Sequence, residues 1–85
     1  MMQFIVLRHQ SGNGLFAIPA TAVRFIGVTQ GADGYLLSVD TVDAWYVARK
    51  DSDRESLEKQ LEAMVEVLAG GRSVDISKPG AVCPF

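Results

Sequence analysis

The sequence predicts an α+β fold in which an antiparallel sheet of about five short strands, arranged as a meander, is covered by one C-terminal amphipathic helix. Short apolar runs alternate with turn-forming clusters through residues 1–50, and none of the connecting loops is long enough for a parallel crossover. A capping pattern, an apolar stripe and a glycine pair then mark a single helix within residues 51–71. Strands followed by one helix are typical of a layered α+β domain.

The first two strands, residues 3–9 and 15–18, are predicted to form a hairpin. The cluster between them contains Asn13-Gly14, and Asn-Gly is the strongest short-range hairpin signal. A strand and no helix follows this glycine-rich cluster, so we interpret it as a turn and not as a phosphate-binding loop. Pro19 ends the second strand because it lacks the N–H that a central ladder needs.

Three more strands follow, at residues 23–29, 35–39 and 44–48. Residues 30–34 end in Asp-Gly, which indicates a tight turn between the first two of them. Residues 40–43 form a second short turn, in which we expect the side chains of Asp40 and Asp43 to bond their own backbone. Strands joined in this way pair with their sequence neighbours.

The helix is predicted from its start, its buried face and its end. Ser52 and Glu55 have the S-x-x-E spacing of a capping box. Gly70-Gly71 supplies the left-handed residue that commonly ends a helix. Apolar residues recur with a helical period and predict the face that packs against the sheet: Leu57, Leu61, Met64, Val65 and Leu68. We expect Leu61 and Leu68 to be deeply buried.

Eighty-five residues allow one domain, which we place at residues 1–71. The tail, residues 72–85, is either flexible or docked. Val74 and Ile76 alternate with polar residues, a faint strand signal that Pro79-Gly80 interrupts. We expect the tail to be dispensable for folding, because it contains few apolar residues and termini are commonly disordered.

Composition excludes several classes of function. The net charge of −2 disfavours a nucleic-acid binder, which usually has a basic patch. The chain has one cysteine, Cys83, and one histidine, His9, so neither a disulfide nor a metal or nucleophilic constellation is predicted. We expect no enzyme activity and no cofactor.

No apolar run approaches the ~20 residues of a membrane span, so we expect a cytoplasmic protein that does not contact membranes.

The aromatic residues of the strands allow three interpretations. Trp45-Tyr46, with Phe25 beside Arg24, could belong to the core, to a protein interface or to a base-stacking surface. The core is the simplest interpretation for Trp45, and the acidic balance disfavours base stacking.

Large apolar side chains occur on both faces of the predicted strands, although a meander with one face in water should alternate between apolar and polar residues. One helix covers only one face. A curled sheet, the C-terminal segment or a second subunit must cover the other, and we expect a homo-oligomer, most simply a dimer. The candidate interface consists of Phe25, Ile26, Trp45 and Tyr46, and the face that the helix covers decides which of them are available.

Two stretches carry a resemblance to a known family: Ile18-Pro19-Ala20-x-Ala22-Val23-x-Phe25-Ile26, and Val47-x-Arg49-Lys50-Asp51-Ser52 leading into the helix. Their order resembles the small flagellar FlbD/SwrD-like proteins over about residues 4–68, and the resemblance implies the fold alone. LytTR DNA-binding domains share a similar rhythm but are longer and more basic. We therefore expect a small non-enzymatic protein–protein interaction module acting as a homo-oligomer, an accessory or regulatory part of a bacterial or phage assembly with a protein partner of its own. The alternative is a DNA-binding transcriptional regulator of LytTR-like rhythm.

Overall fold

A computed structural model describes residues 2–9, 14–78 and 80–85, and this part of the chain contains strands, one 3-10 turn and one α-helix. In chain order these are β1 (Phe4–Arg8), β2 (Leu15–Pro19), the 3-10 turn (Ala20–Ala22), β3 (Val23–Gly31), β4 (Gly34–Thr41), β5 (Trp45–Asp51), α1 (Arg54–Ala69), β6 (Val74–Asp75) and β7 (Cys83–Pro84). The predicted α+β class and all five predicted strands are confirmed.

The strands divide between two sheets. The meander β3-β4-β5 forms an antiparallel three-stranded sheet, and the second sheet has the order β2-β1-β6-β7. β1 and β2 form the predicted antiparallel hairpin, whereas β1 and β6 are parallel. The division falls at Pro19 and the 3-10 turn after it, where the chain leaves the first hairpin. The cluster predicted to form the first turn lies largely outside the described residues.

The β3–β4 hairpin closes over Ala32-Asp33, as the Asp-Gly signal predicts, with Gly31 opposite Gly34. Gly34 has φ +147°, a conformation that side chains rarely adopt. A Cβ at this position would also lie 2.9 Å from the backbone oxygen of Asp51. The turn and the neighbouring strand β5 therefore both require glycine here.

The start of α1 differs from the predicted capping box. The N-cap is Asp53, whose Oδ1 accepts a hydrogen bond from the backbone N–H of Glu55 at 3.1 Å. Asp51 still pairs with Tyr35 in the sheet, so the chain needs Ser52 to turn out of β5 before the helix can begin. The Ser52 assignment is therefore wrong by one residue.

The end of α1 confirms the glycine prediction. Gly71 has φ +80°, and its N–H donates to the carbonyl of Leu68 at 3.0 Å. The N–H of Arg72 donates to the carbonyl of Val67 at 3.3 Å. These two bonds form a Schellman motif, which satisfies carbonyls that a helix end leaves unpaired.

The buried face of α1 is centred differently from the predicted stripe. Leu57 and Met64 are fully buried, and Gln60 is buried between them. Leu61 is only partly buried, as is Leu68, so the expectation that both are deeply buried is wrong. Val65, included in the predicted stripe, is 49% exposed. This side of the helix buries Leu57 and Met64, and the side chain of Gln60 between them accepts a hydrogen bond from Arg49 of β5.

The tail is docked, which is the second of the two predicted alternatives. Val74 and Ile76 are buried in the core, and the N–H of Ile76 donates to the carbonyl of Val6 at 2.8 Å. β7 returns against β6, and Ser73 and Phe85 exchange two backbone hydrogen bonds of 3.1 and 2.9 Å. The packing therefore continues past Gly71, and the expectation that the tail is dispensable conflicts with it.

One core joins both sheets and the helix. The side-chain amide of Gln3 donates to the carbonyls of Leu68 and Arg72, and so ties the start of β1 to the end of α1. The buried apolar residues of the cluster come from β1, β2, β4, α1 and the tail: Ile5, Leu7, Ile18, Leu37, Val39, Leu57, Met64, Val74 and Ile76.

Candidate protein interface

The three-stranded sheet has an inner face that packs toward α1 and an outer face that points away from it. Leu37 and Val39 are fully buried in the core, and the guanidinium of Arg49 bonds Gln60 and Ser56 of α1. Side chains alternate along a strand, so Ser38, Asp40 and Lys50 point outward. The β4–β5 register shifts at Ala48, which packs against the core. The strand register places nine residues on this outer face in three rows: Phe25–Asp40–Trp45, Gly27–Ser38–Val47 and Thr29–Leu36–Lys50.

The first row of the outer face is aromatic and exposed. Phe25 is 54% exposed and Trp45 is 55% exposed, and both lie directly opposite Asp40 of the central strand. The interpretation of Trp45 as a core residue is therefore wrong. Directly opposite residues on antiparallel strands have Cβ atoms about 4.5–5.5 Å apart, so Asp40 separates the two rings.

The other two candidate residues lie on the inner face. Ile26 and Tyr46 are the neighbours of Val39 in the register, and both pack against the core while remaining partly exposed. The ring of Tyr46 also contacts the ring of Phe16 on β2, with centroids 5.3 Å apart. The structure thus separates the four candidates into an exposed pair and a core-facing pair.

The outer face carries charges of both signs at opposite ends. Asp40 is partly buried in the first row and Lys50 is exposed in the third. Across the described ranges, neither side chain makes a hydrogen bond or an ion pair. The prediction that Asp40 bonds the backbone of a turn is wrong, because this residue belongs to β4. Thr41 has that role, since its hydroxyl donates to the carbonyl of Ala44 and accepts from its N–H, both at 3.0 Å.

A second apolar region lies beside the edge strand β2. Phe16 and Pro19 line an open groove of about 390 Å³ together with Val42 and Tyr46. Leu15, the first residue of β2, is 57% exposed. Sequence analysis did not select these residues, because nothing local distinguishes an edge strand from a central one.

The polar contacts at the opposite end of the sheet are structural. Arg49 is held by Gln60, Asp51 and Ser56, with 2.9 Å between its Nη1 and the Gln60 Oε1. Within residues 2–9, 14–78 and 80–85, no group of three or more His, Cys, Asp or Glu side chains could hold a metal ion. Cys83 is a free, exposed thiol on β7.

The pKa of Asp75 is changed by its surroundings. Its carboxylate accepts hydrogen bonds from the hydroxyl and the backbone N–H of Ser77, at 2.6 and 2.8 Å. These bonds stabilise the charged form and lower the pKa of Asp75 below its ordinary value of 3.8. Asp75 follows Val74 in β6, so this turn holds the docked tail in place.

Three comparisons with known proteins give no match: no family model, no curated protein and no solved structure is similar to the chain. Over the residues that the structure describes, no helix is long and apolar enough to cross a membrane. The geometry of the outer face is therefore the basis for a functional proposal.

Proposed function

We propose that this protein is a non-enzymatic protein–protein interaction module that forms a homodimer through the outer face of the β3-β4-β5 sheet. In this proposal it acts in the cytoplasm, as an accessory or regulatory part of a bacterial or phage assembly. The observation that carries the proposal is the exposure of Phe25 and Trp45, each more than half exposed in one row of one face.

Isolated exposed apolar residues are common on soluble proteins, but aromatic residues grouped on one surface are typical of interaction sites. Val65 is exposed singly on the helix. Phe25 and Trp45 instead flank a face whose middle row is small or apolar, with Gly27, Ser38 and Val47. Trp and Phe are enriched at interfaces, where a few buried aromatic side chains supply most of the binding energy.

The proposed partner is a second copy, because two-fold dimers are the commonest soluble oligomers and use one surface twice. A symmetric dimer covers both copies of the aromatic row with a single contact. It also meets the expectation from the sequence that both faces of the sheet are covered, since α1 takes only the inner one.

Light scattering behind a sizing column, at micromolar concentration, tests the proposal. We expect a dimer for the wild type. The double variant Phe25→Ser, Trp45→Ser should dissociate, with a dissociation constant raised roughly 30-fold or more, as for the loss of an interface hot spot. Val42→Ser is the matched control, because it removes a residue that is 77% exposed but lies outside the outer face.

A wild-type protein that stays monomeric up to about 100 μM would contradict the proposal. A dimer that does not form at this concentration has a much lower affinity than a specific interface. A dimer that Val42→Ser disrupts and the double variant does not would place the contact elsewhere.

A further inference from the structure

We infer that the two copies meet with their strands antiparallel, so that Lys50 of the second copy lies on Trp45 and pairs with Asp40. This inference rests on the proposed function and adds the orientation of the dimer and the ion pair that selects it. It follows from the positions of the two unpaired charges on the outer face.

The first step is that both charges face the same way. Asp40 pairs with Trp45, and Lys50 pairs with Leu36, in the register of β4 and β5. Arg49 reaches α1 on the inner side, so Lys50, the next residue along the strand, points to the outer face. The exposure of Lys50 agrees with this direction.

The second step is that the two charges do not pair with each other within one copy. Leu36 and Asp40 lie four residues apart on β4, about 13 Å at the rise of a strand. Lys50 lies beside Leu36, and across the described residues it makes no ion pair with Asp40. Each copy therefore presents an unpaired anion at one end of the outer face and an unpaired cation at the other.

The third step compares the two arrangements in which a two-fold axis stacks this face on itself with the strands aligned, which is a common way for sheets to pack. An axis along the strands places β4 on β4 in the same direction and brings Asp40 against Asp40 of the second copy. Like charges in direct opposition are costly at an interface. An axis across the strands exchanges the first and third rows. Lys50 of the second copy then lies over Trp45, one strand from Asp40, and the contact occurs twice.

The chemistry of the first row suits a lysine. The alkyl stem packs on the indole of Trp45, and the ammonium group lies within reach of both the ring face and the carboxylate of Asp40. In the middle row, Ser38 and Val47 are only 2% and 6% exposed within one copy, so the second copy contacts the exposed side chains of the first and third rows around them. A Cβ on Gly27 would meet nothing within 4 Å, so this position offers no obstacle to that contact.

A charge-exchange experiment on the full-length protein tests this arrangement. Asp40→Lys alone places lysine against Lys50 twice, and Lys50→Glu alone places glutamate against Asp40 twice. We expect each variant to raise the dimer dissociation constant at least about tenfold, measured by sedimentation equilibrium at low salt. Mixing the two monomeric variants should form a heterodimer, and the double variant Asp40→Lys, Lys50→Glu should dimerise within about threefold of the wild type.

Circular dichroism and thermal melting of each variant serve as the folding control, and Asp40→Asn provides a milder change at the same position. A wild-type dimer that neither charge reversal weakens would overturn the inference and leave the proposed function in place. A dimer that Asp40→Asn strengthens and Lys50→Glu leaves unchanged would indicate the axis along the strands, where Asp40 opposes Asp40, and would also overturn it. A monomeric wild type contradicts the proposed function itself.

Discussion

Leu57 and Val65 lie on the same helix and are both apolar, yet only Leu57 is fully buried. The difference comes from which side of α1 faces the sheet. Leu57 lies on that side together with Gln60, which accepts a hydrogen bond from Arg49 of β5. At the scale of single residues, burial therefore depends on the partners of a side chain more than on its hydrophobicity.

Leu57→Ala should destabilise the protein by roughly 2–5 kcal/mol, because truncating a core leucine removes apolar contacts and leaves a cavity. Val65→Ala, on the exposed side of the same helix, should change the free energy of unfolding by about 0.5 kcal/mol or less. Chemical denaturation followed by circular dichroism measures both. Equal effects of the two substitutions would contradict the assigned helix face.

Gly34→Ala should cost about 1–3 kcal/mol or more, since alanine is strained at φ +147° and its Cβ would contact the backbone of Asp51. Gly27→Ala is the matched control in the neighbouring strand. It has open space around the new Cβ, and alanine in a strand interior is favoured over glycine by about 0.5–1 kcal/mol. A thermal melt in which Gly34→Ala is as stable as Gly27→Ala would show that the hairpin tolerates a side chain.

At the scale of elements, the start of α1 shows why a local pattern can be ambiguous. Asp51, Ser52 and Asp53 are all residue types that cap helices well. The sequence S-x-x-E favours Ser52, but the pairing of Asp51 with Tyr35 extends β5 and moves the cap to Asp53. The choice among three adjacent residues is made by a strand pairing that no local motif contains.

Asp53→Ala should destabilise the protein by about 1 kcal/mol, the usual cost of removing an N-cap side chain. Ser52→Ala should have an effect within roughly 0.5 kcal/mol, because Ser52 is exposed and does not cap the helix. Urea unfolding midpoints at neutral pH distinguish them. A larger loss for Ser52→Ala than for Asp53→Ala would restore the capping box.

The turn after β6 predicts an acid-sensitive contribution to stability. Because the pKa of Asp75 is lower in the folded protein than its ordinary 3.8, its ionised form stabilises the fold above about that pH. This contribution is lost as the pH falls further, through the folded-state pKa. The difference in unfolding free energy between the wild type and Asp75→Asn should thus be largest near neutral pH and shrink below pH 3.8. A difference that is constant from neutral pH to strong acid would show that the carboxylate contributes no charge-dependent stability.

At the scale of the whole molecule, the two sheets, the helix and the tail share one core, so we expect them to unfold together. β6 lies between β1 and β7 and contributes Val74 to the core, while Ile76 follows directly. Burying one valine or isoleucine is worth about 1.5–3 kcal/mol, and the total stability of a domain is only about 5–15 kcal/mol.

Truncation after Gly71 should abolish cooperative melting, because it removes both of these buried side chains and leaves β1 paired only with β2. Truncation after Lys78 is the control, since it keeps β6 and the Asp75 turn while removing β7. We expect that shorter deletion to melt cooperatively at a lower temperature. Calorimetry of the two truncated proteins measures whether each melts cooperatively. A sharp transition after truncation at Gly71 would show that the rest of the chain folds without the tail.

The sequence by itself determined the α+β class, the five main strands, the pairing of β1 with β2, the tight β3–β4 hairpin and the Schellman end of the helix. Each of these depends on interactions between residues close in the chain, such as alternation along a strand or a glycine at positive φ. It also identified Phe25, Ile26, Trp45 and Tyr46 as a group, because large apolar residues on both faces of a strand are unusual.

Only the tertiary structure decided the division into two sheets, the docking of the tail and the side of the meander that α1 covers. The pattern of alternation states which residues share a face, but the two faces of these strands are nearly equally apolar. Contacts between segments that are distant in the sequence then decide which face is covered. Examples are the hydrogen bonds of Arg49 with Gln60 and of Ile76 with Val6. Those contacts bury one face and leave Phe25 and Trp45 exposed, since a single helix has only enough apolar surface for one side.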